Sequence, residues 1–260
     1  MTAKLQYDLG GKGPAIVLLH PVGLDRTFVE PVAAQLRRDF TVVGVDLRGH
    51  GQSRNSEPAT SLDDYADDLH VLIAMLELAP AAVVGFSFGG MVAQTLALKH
   101  PGDVAALVPC ACASTLPEPG RDIARGRGDD ARKYGMGAVL EATLDRWFTP
   151  SFRADGRDSA VRTQLLSNDV EGWAQAWHAM AQIDTLPRLG AIQVPTLCVA
   201  GELDKSAPPP VVRAIADAIP GARYAELSGA PHMIFIEQPE ETARVIGGFL
   251  RDALKSDAGR

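Results

Sequence analysis

The 260-residue chain is poor in cysteine, with three, and an odd number so sparsely placed excludes a disulfide framework. Cys110, Cys112 and Cys198 each lie in or beside an apolar run, where a reduced thiol behaves as a small buried hydrophobe. An excess of positive charge is also missing. Twenty-five Lys and Arg face 32 Asp and Glu, a net charge of −7, which excludes the electrostatic footprint of a nucleic-acid binder. No stretch approaches the roughly twenty consecutive apolar residues that a bilayer span needs. Residues 1–8 carry no run suited to a signal peptide, so a cytoplasmic protein is expected. The six histidines are scattered without metal-ligand spacing, and no metal site is expected. There is no internal repeat and no low-complexity tract, and no feature specifies an oligomeric state.

What is present is apolar material, 46% of the residues, enough for a full core in one domain. Short Val/Ile/Leu-rich runs alternate with longer amphipathic stretches, the pattern of a mostly parallel sheet covered by helices, an α/β fold. Strands are predicted at 15–20, 40–45, 81–85, 104–110, 196–200 and 223–227, and helices at 62–78, 91–100, 209–219 and 239–254. Between about 116 and 187 the strand runs stop. This segment reads as a helical cap inserted after the sixth strand, with residues 1–115 and 188–260 forming the core. Trp147, Phe148, Trp173 and Trp177 stand at helix-compatible spacing, suited to packing the cap onto the body, with one or two of them also lining a substrate pocket.

The most informative local feature is Gly85-Phe86-Ser87-Phe88-Gly89, a G-x-S-x-G set between a strand-like and a helix-like run. A serine on so sharp a turn sits in strained backbone, and flanking glycines relieve crowding that any Cβ would cause. The next helix aims its N-terminal dipole and free N–H groups at the same spot. An activated serine needs a base, and the base needs an orienting carboxylate. Asp204 lies just past the run 196–200, and His232 in Ser228-Gly229-Ala230-Pro231-His232, after another apolar stretch. Singly, each is as well explained as a helix cap or loop residue; in this order, each after a strand, they form a coherent set. Glu202 is a rival acid, but Asp204 lies deeper in the loop, where a side chain can bend back to the histidine. His20, in His20-Pro21-Val22-Gly23, reads as a structural histidine bonded to nearby backbone.

Along nearly its whole length the chain resembles the α/β-hydrolase-fold enzymes. The order Ser87, Asp204, His232 is theirs, and Asp46-Leu47-Arg48-Gly49-His50-Gly51-Gln52-Ser53 is similar to their D-x-R-G-x-G-x-S turn. Glu237-Gln238-Pro239 also recurs after the histidine in many members. The resemblance implies an oxyanion hole from the N–H groups of Val22 and Phe88. Within that fold, 145–152 (Asp-Arg-Trp-Phe-Thr-Pro-Ser-Phe), the Gly201-x-x-Asp204 turn and 219–224 (Ile-Pro-Gly-Ala-Arg-Tyr) resemble the 3-oxoadipate enol-lactone hydrolases.

A small ester or lactone is the partner so implied, with Ser87 as nucleophile, His232 as base and Asp204 orienting it, and with no cofactor. The same residues also suit a general carboxylesterase, a carbon–carbon hydrolase of ring-fission products or a cofactor-free haloperoxidase. In a different class, the fold also serves ligand receptors. An enol-lactone's free carboxylate wants an arginine fork. Arg127, Arg132, Lys133, Arg146 and Arg153 are available in the cap, and Arg146, within the resembling segment, is the candidate beside Trp147 and Trp177. Two departures from that subgroup, the apolar Met233, Ile234, Phe235 and Ile236 after His232 and the His20-Pro21 of the oxyanion loop, predict a more apolar pocket.

Overall fold

The computed structural model describes residues 3–54 and 58–255. Seven strands form one sheet: β1 (Gln6–Gly11), β2 (Ala15–Leu19), β3 (Thr41–Asp46), β4 (Ala81–Phe86), β5 (Val104–Cys110), β6 (Leu197–Gly201) and β7 (Arg223–Leu227). Their order across the sheet is β1-β3-β2-β4-β5-β6-β7, and all neighbours run parallel except β1, which pairs antiparallel with β3. The six strands predicted are found with ends displaced by at most one residue. β1 was not foreseen, because Gln6-Tyr7-Asp8-Leu9-Gly10-Gly11 is an edge strand without an apolar face, half exposed along its length.

The central strands read as near-continuous apolar runs because both faces are covered; β4 is buried at every position. The covering helices are α1 (Glu30–Leu36), α2 (Leu62–Met75), α3 (Phe88–Lys99), α9 (Pro209–Ala218), α10 (Ile234–Glu237) and α11 (Pro239–Lys255), with α4 (Glu118–Tyr134), α5 (Met136–Trp147), α6 (Pro150–Ala154), α7 (Ser159–Ser167) and α8 (Val170–Met180) inserted between β5 and β6. The insertion therefore follows the fifth described strand of the sheet, not the sixth as expected. α4 continues through Gly126 and Gly128, and at Gly128 the helix-weakening effect is offset by packing. Gly128 lies so close to the α8 backbone at Ala174 that a Cβ there would sit 3.0 Å from its carbonyl oxygen.

Register decides where the loops meet. Leu19 pairs with Gly85, Phe86 with Cys110, Cys110 with Val199, and Gly201 with Leu227. These are strand C-termini, so the loops after β2, β4, β5, β6 and β7 all open on one edge of the sheet. That crevice is where parallel α/β sheets place ligands.

Candidate active site

Ser87 occupies the one-residue turn between β4 and α3 with φ 51° and ψ −112°, a conformation that L-residues rarely adopt. Neighbouring glycines make it possible. A Cβ on Gly85 would overlap the carbonyl of Gly89, and one on Gly89 would come within 2.7 Å of the Leu19 carbonyl oxygen. The turn is held by the Ser87 N–H, which donates to the Cys110 carbonyl at 2.8 Å.

His232 Nε2 lies 2.9 Å from Ser87 Oγ, and His232 Nδ1 lies 2.8 Å from Asp204 Oδ2. All three side chains are buried, with Ser87 the most open at 7% exposed. The other Asp204 oxygen accepts N–H bonds from Ser206 and Ala207 at 2.7 and 2.9 Å, which fixes the carboxylate in its loop. Glu202 turns away: it accepts from Ser228 Oγ and the Gly229 N–H on the exposed side of the loop. With Nδ1 donating to the carboxylate, Nε2 presents its lone pair to the serine.

Val22 and Phe88 are buried beside Ser87, and their N–H groups find no hydrogen-bond acceptor among the described residues. A buried N–H without a partner is rare unless a ligand supplies the acceptor. His20 does not touch this machinery. Its Nδ1–H donates to the Pro21 carbonyl at 2.7 Å and its Nε2 accepts from the Leu47 N–H at 2.9 Å, so it pins the Val22 loop to the end of β3. Burial lowers its pKa to about 4, and that of its ring neighbour His50 to about 3. Arg48, from the same turn as His50, forms a buried two-point ion pair with Asp68 at 2.6 and 2.7 Å, so it serves the scaffold.

A cavity of about 220 Å³ opens over Ser87 and His232. Trp147 and Trp177 line it, as expected, and so does Cys112; burial keeps that thiol protonated. Arg146 is not in its wall. The lining guanidinium is Arg127, on the α4 face formed by Gly120, Ile123, Ala124 and Arg127, at the i, i+3, i+4, i+7 spacing of a helical stripe. That stripe was legible in the sequence, but its direction was not. The apolar residues after His232 also miss the cavity. Met233, Ile234 and Phe235 are fully buried in the core, where Phe235 meets Phe86 at 4.4 Å between ring centroids, so they do not make the pocket more apolar.

The insertion is tied to the histidine loop at two points. The Met233 N–H donates to the Trp147 carbonyl at 3.1 Å, and the Glu237 carboxylate accepts from the N–H and hydroxyl of Thr149 at 2.7 and 2.9 Å. Neither link was visible in the sequence, where the partners lie far apart. Histidines that looked scattered also meet. The rings of His70 and His100 stack at 4.1 Å, each bonded to an aspartate, and with Asp103 their ligand atoms lie within 4.8 Å of one another. Parallel rings aim their lone pairs side by side instead of at one point, a poor start for a metal.

Fold and site together define the class: the chain belongs to the alpha/beta hydrolase family, whose pattern it matches over residues 16–245. Among characterised proteins it is similar to 3-oxoadipate enol-lactonase 1 of Acinetobacter baylyi, 28% identical over 96% of this chain and 93% of that protein. Among solved structures it resembles the enol-lactonase from Burkholderia xenovorans LB400, with TM-score 0.90 and 31% identity over 96% of this chain and 97% of that one. It also resembles a malate-bound thermophilic esterase from Thermogutta terrifontis, with TM-score 0.89 and 30% identity over 96% and 93% of the two chains. No described helix is long and apolar enough to cross a membrane.

Proposed function

We propose that the protein is a cytoplasmic serine hydrolase of small carboxylic esters or lactones, with 3-oxoadipate enol-lactone, for which the Acinetobacter relative is named, as its leading substrate. The observation that carries this reading is the unbroken chain Ser87–His232–Asp204, at 2.9 and 2.8 Å, facing a cavity that Ser87, His232 and Val22 line. Ser87 Oγ attacks the carbonyl while His232 Nε2 takes its proton, and Asp204 holds the imidazole tautomer and stabilises the imidazolium. The tetrahedral oxyanion is received by the Val22 and Phe88 N–H groups, each worth roughly 3 to 4 kcal/mol where such donors have been removed from comparable enzymes.

Collapse leaves an acyl-enzyme. In an enol-lactone the departing oxygen is an enolate that stays tethered, takes a proton from His232 and tautomerises to the ketone; water then releases the keto-diacid. Residues 116–187 act as a cap that excludes water and shapes the acyl pocket, over a core of residues 1–115 and 188–260. The deciding experiment is ultraviolet-monitored turnover of 3-oxoadipate enol-lactone beside a short p-nitrophenyl ester, each with Ser87→Ala as control. Serine-dependent loss of the lactone with weak ester activity supports the lactonase, and the reverse preference makes the protein an esterase. Inactivity on both, with no labelling of Ser87 by a serine-directed phosphonate, overturns the reading in favour of a ligand receptor.

A further inference from the structure

The charged residues of the insertion divide sharply. Arg132 is bound by Glu171, and Arg153 by Glu141 and Asp158. Arg127 and Arg146 are half-buried, and among the described residues neither guanidinium meets a carboxylate or a hydrogen-bond acceptor; Arg146 Nε is fully enclosed. Burial pushes the pKa of both down, that of Arg127 to about 10, and the nearby charge of Arg146 adds to the effect on Arg127. A cation withdrawn from water without a counter-charge is costly and rarely kept without a use.

The surroundings say what would satisfy it. Arg127 lies over the Trp177 ring, 4.6 Å from its centroid, and both line the cavity that holds Ser87 and His232. Trp177 is 95% buried, and its Nε1–H has no acceptor. Among the described residues the cavity wall contains no carboxylate, and Arg127 is the one permanent charge in it. Guanidinium and indole donors left open beside a reactive serine suit a planar carboxylate. At about 220 Å³ the cavity is below the usual ligand range, which leaves room for a short acyl chain only.

We infer that Arg127, with Arg146 behind it and Trp177 beneath it, is the anion anchor of this pocket, and that the substrates are monoesters or lactones of short dicarboxylic acids, in preference to neutral esters. The inference rests on Ser87 as the nucleophile and names the class of acyl group it accepts. Arg127 is thus the specificity-determining residue.

The test compares methyl hydrogen glutarate with methyl butyrate, followed by acid release against a Ser87→Ala background. Arg127→Gln should lower the ratio of kcat/KM for the anionic over the neutral ester by about 10- to 100-fold, mostly through KM, the range expected for a lost charge-assisted hydrogen bond. Arg127→Lys should fall between, because it keeps the charge and loses the fork. Glutarate alone should raise the Tm of the wild type and of Arg127→Lys, but not of Arg127→Gln, with circular dichroism showing that each variant is folded. An unchanged ratio in Arg127→Gln overturns the inference. If neither ester is turned over in a Ser87-dependent way, the nucleophile reading fails by itself. The glutarate shift then decides the anchor: its presence in the wild type and loss in Arg127→Gln support it, and its absence in the wild type removes it.

Discussion

At the scale of single residues, the site is built from groups held in states they would not adopt in water. Ser87 has a positive φ, and Asp204 is locked by three hydrogen-bond donors, counting His232. If these residues act as proposed, Ser87→Ala lowers kcat by at least about 10⁴-fold, and Asp204→Asn by about 10⁴-fold because it favours the wrong imidazole tautomer. Both should leave the Tm within a few degrees, and a loss of less than tenfold in either would contradict the roles. His20 and His50 carry a second prediction. Their pKa values in the fold, about 4 and about 3, lie below the unfolded value near 6.5. Below pH 6.5 the unfolded chain therefore binds more protons, so the stability they contribute is complete above that pH and is lost as pH falls toward 4. Urea unfolding should show stability dropping by several kcal/mol, of order 3, between pH 6.5 and 4.5, before most carboxylates titrate. A flat profile in that window would refute the buried neutral pair.

At the scale of elements, glycines set the distances between packed backbones. Gly172 on α8 meets Gly49 in the turn after β3, where a Cβ on Gly172 would overlap the Gly49 carbonyl. Gly172→Val is expected to cost about 1 to 3 kcal/mol and to displace α8, which carries Trp177. Its Tm should fall and its KM for the preferred ester should rise; a wild-type KM would show that α8 docks without this approach. The same turn contains Arg48, whose ion pair with Asp68 is buried on both sides. Arg48→Gln leaves the aspartate buried and uncompensated, and is expected to destabilise by about 3 to 5 kcal/mol in chemical denaturation.

At the scale of the whole molecule, insertion and sheet are joined by hydrogen bonds at separate points. Trp147 and Glu237 bridge them at the histidine loop, and the Thr185 hydroxyl donates to Gln94 of α3 at 2.8 Å. All three tryptophans lie in the insertion, whereas far-ultraviolet circular dichroism reports the entire chain. Denaturation followed by tryptophan fluorescence and by circular dichroism should give coincident transitions, the mark of a single cooperative unit. A fluorescence transition at lower denaturant would mean that residues 116–187 melt first as a separate lid.

By itself the sequence determined the parallel sheet, the helical insertion, and the order of serine, acid and histidine, because all three are written in short-range signals. Apolar runs mark buried strands, and Gly85 and Gly89 mark a crowded turn. It left β1 unseen because an edge strand needs no apolar face, and left α1 unmarked because one buried stripe of two turns is too short to stand out. The preference for Asp204 over Glu202 and for a structural His20 could be read from loop position, but only the tertiary structure shows which carboxylate meets His232, which backbone groups His20 bonds, and that Arg127 and not Arg146 lines the pocket. Each of those choices depends on where a side chain points after distant elements have docked. The register of β4, β5, β6 and β7 and the packing of α4 on α8 fix those directions through contacts between residues far apart in the chain, which no local pattern encodes.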